Sequence, residues 1–240
     1  MTLAEVRLAL VDVMIKKGVP ILYGGDLTID SVLKGVDVGT YRDSANIDGS
    51  LIGNADFILL HRAIDDSLVE AGLDMASSLD LDVSKSYTYD VFDDEGSKVF
   101  DIKLRLAVPL FGDDYELPNM VQCTCITREF LIADRISILS GDDISAITDA
   151  MYDLYRLSFI ENEYTTEALS VATRLSLLKY GDFIKFSDGG VAAIAAKYMM
   201  LSNIVNKPRF DVVYSRVRDF VSPFISGDCS TKLWSGTAWV

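Results

Sequence analysis

Leu3, Val6, Leu10, Val13 and Met14 recur three and four positions apart, which predicts an amphipathic opening helix closed by Gly18 and Pro20. Ile21-Leu22-Tyr23 is a short buried-strand candidate. After Gly24-Gly25, Leu27, Ile29, Val32 and Leu33 return to helical spacing as far as Gly35. Residues 45 to 52 predict a second strand, and Ala63 to Ser78, with Ile64, Leu68, Ala71 and Met75, a helix. Two β-rich runs follow, Ser86 to Phe92 and Ser97 to Pro109, joined by the hairpin-like turn Asp93-Asp94-Glu95-Gly96. Met120 to Ile126 adds a third strand.

From Arg128 the period changes to that of helices. Ile132, Ile136 and Leu139 form one stripe, and Ile144, Ile147, Met151, Leu154 and Leu157 another. Thr166 to Tyr180, Gly190 to Val205 and Phe210 to Phe224 predict three more helices, and the tail Thr231 to Val240, with its two tryptophans, is expected to dock on the body. No internal repeat or low-complexity linker interrupts the chain. The pattern predicts an α+β protein with a mixed-sheet domain over residues 1–127 and a helical bundle over 128–240, the boundary falling near residues 127 to 141.

Composition narrows the function classes. Of 240 residues half are apolar, enough for a sizeable core, while 22 Lys and Arg against 36 Asp and Glu leave a net charge of −14. Such a surface argues against sliding on duplex DNA by bulk electrostatics, so a polyanionic substrate would need a local basic pocket. Cys123, Cys125 and Cys229 lack metal-type spacing and are read as reduced thiols of a cytoplasmic protein. Thr2 to Glu5 reads as a capping box rather than a basic leader, and no uncharged run reaches about 18 residues, so neither secretion nor membrane spanning is expected. The single histidine, His61, has no Gly-x-Ser-x-Gly elbow beside it and is read as structural.

The chemistry-bearing stretch begins at Gly24-Gly25. A glycine pair between a strand and a helix lets backbone approach a ligand closely and turns helix N–H groups toward an anion. Downstream, Asn46-Ile47-Asp48 places positions 46 and 48 on one face of a strand, and Asp101 supplies a further acid inside the apolar run Val99-Phe100-Asp101-Ile102. Nucleotidyl transfer uses this layout, with carboxylates on adjacent strands holding hard cations. Lys103 and Arg105 alternate onto the face of Asp101 and are either phosphate contacts or an outward polar stripe. Asp149 and Asp153, four apart, share one helical face.

Taken in order, Gly24-Gly25, Arg42-x-Ser44-x-Asn46-Ile47-Asp48, Asp101, Ile132-Ala133-Asp134-Arg135 and Asp149-Ala150-Met151-Tyr152-Asp153-Leu154 resemble the AbiEii/AbiGii toxin nucleotidyltransferases. That family lies within the DNA polymerase β-like nucleotidyltransferase superfamily. The resemblance spans roughly the first two thirds of the chain. It implies a nucleotidyltransferase-like first domain and Mg²⁺ on Asp48 and Asp101, with Asn46 at the remaining catalytic and metal position. It also implies an NTP held by Gly24, Gly25, Arg42, Ser44, Arg135, Asp149 and Asp153, to which the alternation on the Asp101 strand adds Lys103 as a nucleotide-binding candidate. The chain departs from the family pattern at Asn46, where an Asp is usual, at Arg135, where a Lys is usual, and at Thr148, where another Lys precedes the helical Asp.

Asn46 is open to three readings: a natural variant working with one tightly bound ion, a degenerate site, or an engineered Asp-to-Asn change that silences a toxic enzyme. The resemblance implies transfer of a nucleoside monophosphate from an NTP to a nucleic acid such as tRNA, or to a protein, together with a cognate antitoxin. Alternatives are an inactive relative that binds a nucleotide or a partner, and a transferase acting on a small cationic acceptor.

Overall fold

The computed structural model describes residues 3–52, 57–70, 73–75, 86–93, 95–106, 112–117, 119–228 and 230–240. Thr2 of the expected capping box, Ala71, Asp94, Pro109 and Cys229 lie outside the described residues. The elements in chain order begin with α1 (Leu3–Lys16), β1 (Ile21–Gly24), α2 (Gly25–Val32), β2 (Tyr41–Arg42), β3 (Ile47–Leu51) and α3 (Phe57–Glu70). They continue with β4 (Asp74–Met75), β5 (Ser86–Phe92), β6 (Lys98–Leu106), β7 (Gly112–Glu116), β8 (Gln122–Ile126), α4 (Arg128–Leu139) and α5 (Ile144–Leu157). The last are α6 (Thr166–Leu175), a π-turn at Lys185–Gly189, α7 (Val191–Met200), β9 (Ile204–Val205) and α8 (Phe210–Ser226). The fold is α+β, a mixed sheet followed by a helical half.

The chain divides into two compact units. One comprises Met1–Lys34 with Asp43–Ile126, the other Gly35–Arg42 with Thr127–Val240. In the first, seven strands run in the order β4-β5-β6-β3-β1-β8-β7. β3 pairs parallel to β6 and antiparallel to β1, and β1 is parallel to β8. Side chains alternate across these strands. Tyr23, Ile47, Tyr89, Val91, Ile102, Leu104 and Cys125 turn to a core shared with Leu10 and Met14 of α1 and Ile64 and Leu68 of α3. Asn46, Asp48, Asp90, Asp101 and Lys103 therefore fall on the opposite face.

The second unit is organised on α5. It starts at Asp143, whose side chain accepts the N–H groups of Ser145 and Ala146, and from Ala150 through Leu157 it is wholly buried. The tail docks within this unit: Trp234 is fully buried and donates its indole N–H to the Ser158 carbonyl, and Trp239 donates to Phe220.

Three predicted helices end early. The stretch expected to be helical to Ser78 is described as helix over Phe57–Glu70, Ser78 lies outside the described residues, and Met75 lies on β4, paired with Val91. The helix expected from Thr166 to Tyr180 ends at Leu175, with Leu177 in the left-handed region. The run expected to be helical to Val205 ends at Met200, where Leu201 is already extended; Ile204–Val205 pairs instead with Tyr41–Arg42. In the first and third cases short apolar spacing fits both periods, and long-range pairing decides. The same holds for β2, β4, β7 and β9, which the sequence pattern did not reveal. Among the described residues no helix is long and apolar enough to cross a membrane.

Candidate functional site

Gly24, Gly25, Ser44, Asn46, Asp48, Asp101 and Lys103 lie in the first unit, and Arg42, Arg135, Asp149 and Asp153 in the second. At the first group, β1 passes straight into α2 with Gly24 paired opposite Asp48. Gly25 sits at φ +59°, and a Cβ placed there would come within 2.4 Å of Asp48 Oδ2. Backbone conformation and space thus both require glycine, because the Asp48 carboxylate lies against the turn. There it meets the positive end of α2.

The register of β3 on β6 sets Asp48 beside Lys103 and Ile47 beside Ile102. One step earlier, Asn46 Oδ1 accepts the backbone N–H of Asp101 at 3.1 Å. Asn46 therefore holds the edge of the β6 strand with its amide oxygen. Ser44 is buried, and its Oγ accepts the N–H of Asn46 at 3.2 Å, so it shapes the turn that delivers residues 46 to 48. Lys103 is exposed on the same face.

A contact that sequence reasoning missed lies on this face. Asp90 on β5 is the cross-strand partner of Asp101, and Lys98 Nζ reaches both carboxylates, at 2.8 Å and 2.6 Å. Its bonds to Asp101 and Asp90 hold the Lys98 ammonium above its ordinary pKa, and the bond from Lys98 keeps Asp90 below the usual carboxylate range. Period-2 alternation in Ser86 to Phe92 would have put Asp90 on the polar face. The pairing of β5 with β6, which places it opposite Asp101, is not readable from alternation alone.

Asp48 and Asp101 are hard oxygen donors on adjacent parallel strands, the type a Mg²⁺ ion takes. By donor type they suit one divalent ion, Asp48 standing beside Lys103 and Asp101 beside Asn46 in the register. They do not fit a pair, because Asn46 brings no charge and its amide oxygen already serves Asp101 N–H, while Asp101 is ion-paired. Among the described residues no three His, Cys, Asp or Glu side chains are grouped to hold a metal.

In the second unit, Arg42 lies 3.4 Å from Asp149 Oδ1 and 3.3 Å from Asp153 Oδ1, with its guanidinium over the Tyr152 ring. Arg135 donates through Nε to Asp153 at 2.8 Å and pairs with Asp134 at 2.7 Å. Asp153 is buried between the two guanidiniums. Burial raises the pKa of Asp149 against the pull of Arg42, although 45 % of its side-chain surface reaches solvent. Asp149 and Asp153 thus share one face of α5, as their spacing predicts, and both face arginines.

No protein-family model matches the chain, and no curated protein matches it. Among solved structures it is similar to a candidate nucleotidyltransferase from H. pylori, with 14 % identity, TM-score 0.55 and 94 % of each chain covered. It is also similar to JHP933 from Helicobacter pylori, with 12 % identity, TM-score 0.57, and 93 % of this chain and 90 % of that one covered. MenT4, a nucleotidyltransferase toxin from Mycobacterium tuberculosis H37Rv, aligns over 74 % of this chain and 69 % of its own at 13 % identity and TM-score 0.41. At such identities the likeness to the two Helicobacter proteins is one of fold.

Proposed function

We propose that the chain is a Mg²⁺-dependent nucleotidyltransferase of AbiEii-like type, which moves a nucleoside monophosphate from an NTP to a nucleic acid or protein acceptor and releases pyrophosphate. The observation that carries this reading is the Asp48 carboxylate packed on Gly25 at the β1–α2 turn, with Asp101 on the adjacent parallel strand. The fold shared with a candidate nucleotidyltransferase supports it.

In this reading the Gly24-Gly25 backbone and the first turn of α2 hold phosphate oxygens, and Lys103, exposed in register with Asp48, adds a mobile positive charge. A Mg²⁺ ion on Asp48 and Asp101, when bound, supplies neutralisation of charge on the transferring phosphoryl group. Asn46 cannot accept a proton, so the acceptor hydroxyl finds no base at that position. Arg42 and Arg135 are already paired with carboxylates, which gives them a secondary part. The toxin role and a cognate antitoxin rest on the sequence resemblance alone.

Label transfer from each of the four NTPs, in the chain as it stands and in Asn46→Asp, tests the reading. The aspartate form is expected to transfer at least about a hundredfold faster, the scale of general base catalysis. NTP binding by neither form would sink the proposal. A second reading, a nucleotide-binding module without turnover, is favoured by one observation, the bond from Asp101 N–H to the Asn46 amide. It predicts NTP binding with no pyrophosphate released by the natural chain.

A further inference from the structure

Lys98 touches Asp101, one of the two proposed metal-binding carboxylates, without being a ligand itself. From the arrangement of this sheet face we infer that Lys98 is a built-in counter-cation. Its ammonium competes with a divalent ion for Asp101, so the chain takes up a single such ion and holds it more weakly than it would without the lysine.

The inference rests on the reading of Asp48 and Asp101 as metal-binding residues, and three observations carry it. First, Asp90 and Asp101 stand directly opposite each other on antiparallel strands, where like charges repel. Lys98 resolves that repulsion by reaching both carboxylates. Second, Asn46 occupies the next position of the same row and contributes an amide already bonded to Asp101 N–H. Third, Lys103 is in register beside Asp48. Lys98 and Lys103 thus already offset part of the negative charge of Asp48, Asp90 and Asp101 that would draw in a second divalent ion. One ion can enter if Asp101 turns from Lys98 to the metal.

The ion pair is solvent-accessible, Lys98 being 47 % exposed, so the competition is an equilibrium rather than a lock. Asp90 has a part in it as well. A carboxylate that remains with Lys98 after Asp101 leaves gives the ammonium a place to go, which makes the exchange easier than breaking an isolated pair.

Mn²⁺ titration of the full chain without nucleotide, read by the electron paramagnetic resonance signal of free Mn²⁺ and reversed with Mg²⁺, tests this directly. The natural chain is expected to bind one ion. Lys98→Met is expected to bind it about fivefold more tightly, the scale of an exposed ion pair, and Lys98→Arg as the natural chain does. Lys98→Gln provides a second uncharged variant should the methionine disturb the strand, and Asp101→Asn in the Lys98→Met background should abolish the gain. Two ions bound at similar affinity by the natural chain would overturn the inference, as would no ion bound by any form. So would unchanged or weaker binding in both uncharged variants. Binding of a fluorescent NTP, measured separately on the same proteins, reports on the nucleotidyltransferase reading, so failure of one is distinguished from failure of the other.

Discussion

The open sheet face of the first unit and the buried face of α5 in the second both carry aspartates, yet they dispose of the charge differently. On the sheet, Asp48 lies against a position that only glycine can fill, and its strand neighbour in register is an exposed lysine. On the helix, Asp153 is 3 % exposed and held between two guanidiniums, each itself tied to a further carboxylate. The first arrangement keeps a carboxylate accessible at the expense of backbone freedom. The second has already satisfied its charges. Acids that share a chain can therefore divide into those kept available for a ligand and those that hold structure together.

Breaking each arrangement should separate the two. Asp153→Ala takes from Arg42 and Arg135 the buried carboxylate they share, leaving each one partner, and is expected to cost about 3 kcal/mol in urea unfolding. Asp48→Ala, on the open face, should change stability by less than about 1 kcal/mol while ending label transfer and weakening Mn²⁺ binding. Equal losses of stability would mean that the helical network is no more structural than the sheet face.

Gly25→Ala sharpens the comparison next. Its left-handed backbone is expected to cost about 1–2 kcal/mol, and the added methyl must push the Asp48 carboxylate away. Transfer should then fall about a hundredfold, the scale of an ångström-sized misplacement, even where the protein remains folded. A variant that unfolds more easily yet transfers as before would show that the position of Asp48 over the turn is not what matters.

Much of this was legible in the sequence where the period was unambiguous. The alternation of Phe100, Ile102 and Leu104 with Asp101 and Lys103 reports the two faces of β6, and the spacing of Asp149 and Asp153 reports one face of α5. What alternation does not carry is the partner. Arg42 meets Asp149 across more than a hundred residues of chain, Lys98 meets Asp90 across the register shift of β5 on β6 at Val91/Phe92, and the two-residue strand Tyr41–Arg42 exists only because Ile204–Val205 lies beside it. Short segments such as these have too little local preference to declare themselves, and tertiary pairing decides their form. The partners also change the meaning of the residues: Arg42, a phosphate contact by its place in the motif, is an ion-pair partner by its contacts.

The smallest expected effect concerns Asp149, which stands between the two classes, paired with Arg42 yet partly open to solvent. Burial raises its pKa in the folded protein above the ordinary value near 4, outweighing the attraction of Arg42. A carboxyl raised in this way binds its proton more tightly folded than unfolded. It therefore favours folding fully below about pH 4, and that contribution is lost as pH rises through the folded-state pKa. Asp149→Asn removes the titration. Its melting temperature relative to the natural chain should climb as pH is raised from 4 and level off once the natural carboxyl is ionised. The gain should correspond to less than about 1 kcal/mol, since solvent screens the group. A difference that stays flat with pH, or turns against the asparagine form, would mean that the pull of Arg42 exceeds the penalty of burial. Asp149 would then belong with Asp153 among the aspartates whose charge the protein has already used.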